Sequence, residues 1–195
     1  MEKYPLRTQL LSCAVLATIG VAIIHFVQGV PLLQALAAGL PWPQQLGLGA
    51  ALGLATGAVS AVTTLRKPAA EAVQRTATSY ARLDLSGWNP LWISLGAGMS
   101  EELLFRAALQ PLVGIWGASL LFLLVHAGAY DFRRFDRAAL WQAGGVFGMS
   151  MLFGLAFEYA GLLSVMVAHT VVDIVGLYLV RRIAEAGAEG AKRLR

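Results

Sequence analysis

The residues of this chain best suited to chemistry are ionisable side chains inside apolar segments. The segment 101–106 (EELLFR) places two carboxylates and a guanidinium in one such segment. A charged side chain at the centre of a bilayer costs at least about 2.5–3.5 kcal/mol. His126 lies in the next apolar segment, and His169 and Asp173 lie in the last. The pattern predicts that these residues meet at one site, where they pair or react.

The spacing within the first motif predicts different roles for the two adjacent glutamates. Glu102 and Arg106 are four residues apart, so on a helix they share a face and are expected to form a structural ion pair. Glu101 is rotated by about 100° from Glu102, because an α-helix has 3.6 residues per turn. Glu101 is therefore the carboxylate less engaged in an ion pair, and it is the candidate general base.

The two later motifs supply imidazoles at the same helical spacing. His126 shares a face with Phe122, which we expect to pack beside it. Asp173 lies four residues after His169, where it is expected to orient the imidazole and fix its tautomer. A carboxylate and an imidazole are the usual base and proton carrier of a hydrolase. His25 has no visible partner and is interpreted as an interfacial residue.

The composition is that of an integral membrane protein. The chain has 195 residues, of which 57% are hydrophobic and 13% charged, whereas soluble domains carry about 25% charged residues. We expect an all-α, polytopic helical bundle formed by a single domain, 1–195. Cys13 is the only cysteine, which excludes an intrachain disulfide and a multi-cysteine metal site. The net charge of +4 is explained by topology and does not indicate nucleic-acid binding.

The apolar residues form segments of about the length that a helix needs to cross a membrane, roughly 20 residues. A tight turn, 111–116, is expected between the third and fourth of the six segments given next. The six segments are 9–28, 44–65, 90–111, 113–129, 138–158 and 161–180.

The basic residues follow the positive-inside rule. All except Arg106 fall before the first segment, after the sixth, or in the second and fourth connections, which predicts a multi-pass protein of the cell membrane with both termini cytoplasmic. These residues are Lys3, Arg7, Arg66, Lys67, Arg75, Arg82, Arg133, Arg134, Arg137, Arg181, Arg182, Lys192, Arg193 and Arg195.

Three further patterns concern the scaffold. The stretch 68–83 has apolar residues at helical spacing and predicts an amphipathic helix on the cytoplasmic surface. Asn89 and Pro90 look like the N-cap and first position of the third membrane helix. Small residues at intervals of about four are interpreted as helix-packing faces; they are Gly49, Gly53 and Gly57 in the second segment, and Gly144, Gly148, Ser150 and Gly154 in the fifth.

The three motifs, in this order, resemble those of the CAAX protease and bacteriocin-processing (CPBP) family. That family includes the Ras-converting CAAX endopeptidase and bacterial intramembrane proteases. The resemblance covers about residues 90–182, the expected catalytic core. The matching motifs are Glu101-Glu102-x-x-x-Arg106, Phe122-x-x-x-His126 and His169-x-x-x-Asp173.

The resemblance implies an intramembrane endopeptidase of the glutamate type, without a cofactor, acting on a membrane protein or peptide. By similarity, Glu101 would activate a water with help from His126, while His169 and Asp173 would bind the oxyanion. The CAAX endopeptidases carry Asn at the position of Asp173. Since an ionised Asp cannot donate a hydrogen bond, Asp173 would either orient His169 or be protonated. A bacterial sorting-type protease, which trims the tails of surface proteins, is one expectation for the substrate.

Two alternatives use the same residues. Glu101, His126 and His169 could supply a His₂Glu zinc site, although the His-Glu-x-x-His helix of many zinc proteases is absent. A non-enzymatic carrier, scaffold or immunity protein could use the Glu-Arg and His-Asp pairs for gating or folding.

Overall fold

A computed structural model describes residues 3–128 and 136–193, with side chains up to residue 185. This part of the chain is helical, apart from one isolated bridge between Tyr4 and Leu83. Of the basic residues used for topology, Arg133, Arg134 and Arg195, and the side chains of Lys192 and Arg193, lie outside the described residues.

The helices begin and end close to the predicted segments. They are α1 (Leu6–Ala22, continued by a π-helical turn, Ile23–Val27), α2 (Leu32–Ala37), α3 (Trp42–Arg66), α4 (Glu71–Tyr80), α5 (Asn89–Glu102, continued by a π-helical segment, Leu103–Leu109), α6 (Gln110–His126), α7 (Arg137–Ala160) and α8 (Leu162–Arg193).

Five helical stretches in the described residues are long and apolar enough to cross a membrane. One of them, Asn89–His126, contains both the third and the fourth predicted segments. It folds back at Gly114, whose φ of 71° favours glycine. A straight helix would separate Phe105 from Phe122 by about 25 Å, yet their ring centroids are 5.0 Å apart. The tight turn predicted at 111–116 is therefore present, while the number of membrane passages and the sides of the termini stay predictions.

Helix α8 is the centre of the bundle. Buried residues make up 44% of its apolar window, against 11–22% for the other four stretches, and it contacts α2, α3, α4, α5 and α7. The predicted glycine face of α3 packs against it. A Cβ added to Gly49 would lie 2.3 Å from the carbonyl oxygen of Ser164, and one on Gly53 would lie 2.7 Å from Val171. This close approach fixes the helix that carries His169 and Asp173.

The π-helical segment after α5 leaves backbone carbonyls without regular α-helical partners. Gln28, just after the first helix, donates to the carbonyl oxygens of Ala107 and Ala108 at 2.9 and 2.7 Å. The segment is buried from Leu103 to Ala108, so these bonds satisfy groups that water does not reach.

The amphipathic stretch forms α4, as predicted, and lies against the start of α7. Gln142 donates to the hydroxyl of Thr76 at 2.6 Å, and Arg75 forms ion pairs with Glu71 and Asp136. The predicted cap of α5 is wrong by one residue. Trp88 is the N-cap and Asn89 is already helical, with its amide 3.5 Å from the Ser86 hydroxyl.

Candidate active site

The buried centre of the site is a series of ion pairs and hydrogen bonds that begins at Arg106. Arg106 and Glu102 are both fully buried, and the guanidinium Nε lies 3.0 Å from Glu102 Oε2. The structure thus pairs the two residues that the four-residue spacing joins. Arg106 also donates to the Ser150 hydroxyl at 2.8 Å and lies 5.8 Å from the centroid of the Phe122 ring, within cation–π range.

Glu102 also holds His169, which differs from the sequence prediction. Nδ1 of His169 lies 2.6 Å from Glu102 Oε1, so both carboxylate oxygens of Glu102 are engaged. We expected Asp173 to orient this imidazole. Asp173 Oδ2 instead lies 3.6 Å from Nε2 of His169, beyond ordinary hydrogen-bond distance. An i,i+4 pattern identifies neighbours within one helix and gives no information about a carboxylate on another helix.

Glu101 is the carboxylate that faces the imidazoles. Its Oε2 lies 3.6 Å from His126 Nε2 and 3.9 Å from His169 Nε2. This oxygen is buried and has no hydrogen-bond partner among the described residues. The structure therefore brings three of the four predicted catalytic groups, Glu101 of α5, His126 of α6 and His169 of α8, to one point.

The orientation of His126 is set by its own helix. Nδ1 lies 2.8 Å from the carbonyl oxygen of Phe122; because a carbonyl only accepts, Nδ1 carries the proton and Nε2 faces Glu101. The imidazole stacks on the Phe122 ring with centroids 4.2 Å apart, and Phe122 packs edge-on against Phe105. The aromatic residue predicted beside His126 thus links its ring to the π-helical segment. His25 is exposed and packs against Phe26.

A cavity of about 1180 Å³ connects these groups with the end of the molecule where α4 lies. Glu101, His126, His169 and Asp173 line its inner part. Its other walls come from α1, α7 and α4, the last supplying polar residues such as Gln74 and Thr78. A peptide segment could therefore reach Glu101 from the α4 end.

The ion pair at the outer part of this cavity joins α4 to α7. Arg75 hydrogen-bonds to Asp136 and lowers the pKa of that carboxyl, with a further contribution from the backbone N–H of Ala139. The hydrogen bonds of Arg75 to Asp136 and then to Glu71 raise the pKa of Arg75. Asp136 is also the N-cap of α7, so one carboxylate both begins that helix and anchors α4.

Sequence reasoning missed several polar partners. Ser150 and Gly154 were interpreted as packing positions, and they do pack closely, but Ser150 also accepts a hydrogen bond from Arg106. Gln110 is buried and lies 3.5 Å from the same guanidinium. Glu158 on α7 is exposed and accepts from Gln110. Gln110 lies four residues after Arg106, the one signal that could have pointed to it.

The alternative of a zinc site concerns Glu101, His126 and His169. Across residues 3–128 and 136–193, no three His, Cys, Asp or Glu side chains are arranged to hold a metal ion. One imidazole that the alternative requires, His169, has its Nδ1 engaged by Glu102. His169 Nε2 lies 3.9 Å from Glu101 Oε2, and a zinc-bound histidine commonly donates its other ring N–H to a carboxylate, so the zinc site stays an alternative.

Comparisons with known proteins point to one family. Residues 84–175 match the family described as type II CAAX prenyl endopeptidase Rce1-like. The uncharacterized protein YpbD of Bacillus subtilis (strain 168) is 37% identical over 86 residues, which are 44% of this chain and 42% of that protein. The chain thus spans about two fifths of the length of this curated relative. No solved structure matches it. The matched segment contains all three motifs and the site assembled above, and the resemblance to the CAAX protease family is confirmed by the Rce1-like match.

Proposed function

We propose that this protein is an intramembrane endopeptidase that cuts a membrane protein or peptide near its C-terminus or membrane segment. The observation that carries the proposal is the buried Oε2 of Glu101, which has no hydrogen-bond partner among the described residues and lies 3.6 and 3.9 Å from two imidazole nitrogens. A buried carboxylate oxygen without a protein partner is costly, and a substrate water would supply the missing hydrogen bond. The Rce1-like match supports peptide-bond hydrolysis as the reaction.

In the proposed mechanism Glu101 is the general base. Its Oε2 takes a proton from water while the water oxygen bonds to the carbonyl carbon of the scissile peptide. The 3.6 Å between Glu101 Oε2 and His126 Nε2 allows one water to lie within hydrogen-bond distance of both. Nε2 of His126, whose proton is on Nδ1, would accept from the other O–H of the water and hold it in line. After attack, Glu101 would give up the proton it took, relayed through Nε2 of His126, to the leaving nitrogen. The C–N bond then breaks, giving a carboxylic acid and an amine.

His169 is proposed to stabilise the oxyanion. Glu102 accepts from Nδ1, so a protonated Nε2 would point toward the site between Glu101 and Asp173. Such a donor, fixed before the reaction, stabilises charge that develops on the carbonyl oxygen. Asp173 would act through His169 by favouring its charged form.

The test compares membrane proteomes of a strain lacking this protein. The strain is complemented with wild type, with Glu101→Gln, or with Glu185→Gln, which removes an exposed carboxylate at the surface of α8. We expect one or more membrane proteins to keep an uncut tail in the deletion strain and with Glu101→Gln, and to be cut normally with Glu185→Gln. Immunoblots show that the variants are equally abundant. Normal cutting by Glu101→Gln at equal abundance would overturn the proposal and favour a non-enzymatic role.

The zinc alternative and the metal-independent mechanism predict different results for purified protein. The following expectation is that of the metal-independent mechanism. We expect cleavage of the substrate found above to continue after removal of all bound metal with a strong chelator. Loss of cleavage that zinc alone restores would contradict the metal-independent mechanism and support a metalloprotease.

A further inference from the structure

A line of hydrogen-bonded side chains leads from the proposed active site to the far end of α7. His169 Nδ1 bonds to Glu102, and Glu102 bonds to Arg106, at 2.6 and 3.0 Å. Arg106 Nη1 lies 3.5 Å from Gln110 Oε1. Gln110 Nε2 donates to Glu158 Oε1 at 3.0 Å. Glu158, at the outer end of the line, is exposed, whereas His169 and the three residues between them are buried.

The Gln110 amide can adopt only one of its two orientations. Its nitrogen donates to two acceptors, the Gly154 carbonyl and the Glu158 carboxylate, both at 3.0 Å. The amide oxygen must then face Arg106, where it complements the positive charge. The reverse orientation would place the amide NH₂ group against the guanidinium of Arg106. It would also place the amide oxygen against the acceptor oxygens of Gly154 and Glu158. Glu158 and the Gly154 carbonyl together therefore determine which group Arg106 meets.

Arg106 transmits this constraint to the imidazole. Its guanidinium is held by Gln110 on one side and Ser150 on another, which leaves Nε directed at Glu102. Glu102 then has one remaining oxygen for His169. Gly154 preserves the space, since a Cβ there would lie 2.9 Å from Gln110 Oε1 and 2.6 Å from Ile115.

We propose that Gln110 and Glu158 are positioning residues for His169, acting through Arg106 and Glu102 from the end of the site opposite α4. Their catalytic meaning rests on the proposed function, whereas their effect on the imidazole does not. Glu158 had no such role in the sequence interpretation, because nothing in its spacing connects α7 to the motif of α5.

The experiment observes the imidazole directly. The full chain is labelled with ¹⁵N-histidine and purified in nanodiscs, and its three histidines are assigned by replacing His25 and His126. The Nδ1 proton of His169, bonded to a carboxylate, gives a downfield resonance. We expect Glu158→Ala to shift or broaden this resonance, Gln110→Leu to do so more strongly, and Glu158→Gln, which keeps an acceptor oxygen, to restore it.

Two control variants separate positioning from general loss of structure. Tyr159→Ala changes an exposed neighbour of Glu158. Gln45→Leu removes another buried glutamine, which bonds to Ala38, Leu40 and Leu163. Tyr159→Ala should leave both stability and the resonance unchanged, and Gln45→Leu should lower the unfolding temperature while leaving the resonance in place. A wild-type resonance in folded Glu158→Ala would overturn the proposal, and Glu158, being exposed, can be replaced without unfolding the protein.

The kinetic consequence is measured separately. With the substrate found by proteomics, Glu158→Ala should lower kcat by up to about 100-fold, the cost of misplacing a catalytic group, with little change in KM, and Glu158→Gln should recover most of it. A displaced resonance with unchanged kcat would refute the catalytic role of His169 while the positioning stands. An unmoved resonance would refute the positioning whether or not the protein is a protease.

Discussion

At the scale of single residues, two adjacent glutamates have opposite surroundings. Glu102 is fully buried and uses both oxygens, one for Arg106 and one for His169. Glu101 has a buried oxygen without a partner in the described structure. The first arrangement contributes to stability and the second is costly, which is typical of a group kept for function. The two residues should therefore respond differently to substitution.

Replacing Arg106 by Leu should destabilise the fold. It leaves the Glu102 carboxylate buried with half its partners removed, and breaking a buried pair in this way costs about 3–5 kcal/mol. Thermal unfolding in detergent measures the loss. Glu101→Gln is the matched comparison and should unfold near the wild-type temperature. Equal stability of wild type and Arg106→Leu would contradict the structural role given to the pair.

At the scale of helices, the face where α3 meets α8 controls the position of the site. Gly49 and Gly53 approach α8 so closely that an added methyl would meet backbone or Cβ atoms, which cannot move aside. Helix α8 carries two of the four proposed catalytic side chains. Packing of α3 therefore bears on the chemistry although α3 contributes none of those four groups.

Gly49→Ala should lower stability by about 1–3 kcal/mol, the usual cost of overpacking. Gly47→Ala, two residues away on the same helix, has nothing within 4 Å of the added Cβ and should be neutral. Thermal unfolding of both variants gives the comparison. If both behave alike, the close packing of α3 on α8 is wrong.

The link between α4 and α7 should depend on pH. The folded pKa of Asp136 is lowered by Arg75 and by the N–H of Ala139, so the stabilisation is present above the unfolded pKa of about 3.9 and disappears as pH falls through the lower folded pKa. Asp136→Asn keeps the N-cap acceptor and removes the ion pair. We expect its unfolding temperature to lie below that of wild type at pH 7, and the difference to shrink as pH falls below the unfolded pKa of Asp136. An equal unfolding temperature at pH 7 would show that the ion pair contributes nothing.

Helix existence could be predicted from the sequence, whereas local geometry could not. Apolar length and the four-residue motif spacing placed Glu101, His126 and His169 on separate helices. The partner of His169 depends on how helices pack, which spacing within α8 does not contain. The π-helical turns also lacked a sequence signal; the one after α5 contacts α1 and Gln28, neither of which its own sequence reveals. The cap of α5 shifted by one residue, a common uncertainty at helix ends.

At the scale of the whole molecule, orientation in the membrane is predicted from charge alone. The cavity opens toward α4, and the basic residues around α4 place that end in the cytoplasm by the positive-inside rule. The substrate would then be cut from the cytoplasmic side. This conclusion depends on topology, which the arrangement of helices by itself does not determine.

Single-cysteine labelling tests this orientation. Cys13→Ser provides a cysteine-free chain, into which Lys67→Cys or Gln44→Cys is introduced at exposed positions on opposite ends of α3. A membrane-impermeant thiol reagent added to intact cells should label Gln44→Cys, and should label Lys67→Cys only in inverted vesicles. The reverse labelling pattern would indicate the opposite orientation in the membrane, with the mouth of the cavity outside the cell.

The turn at Gly114 limits how the sequence between the first two motifs can change. It brings Phe122 back beside Phe105 with almost no intervening loop. One inserted or deleted residue in the helical stretch between Gly114 and His126 would rotate the imidazole by about 100° and direct it away from Glu101. Natural variants of this segment are therefore expected to differ by substitution and to keep its length.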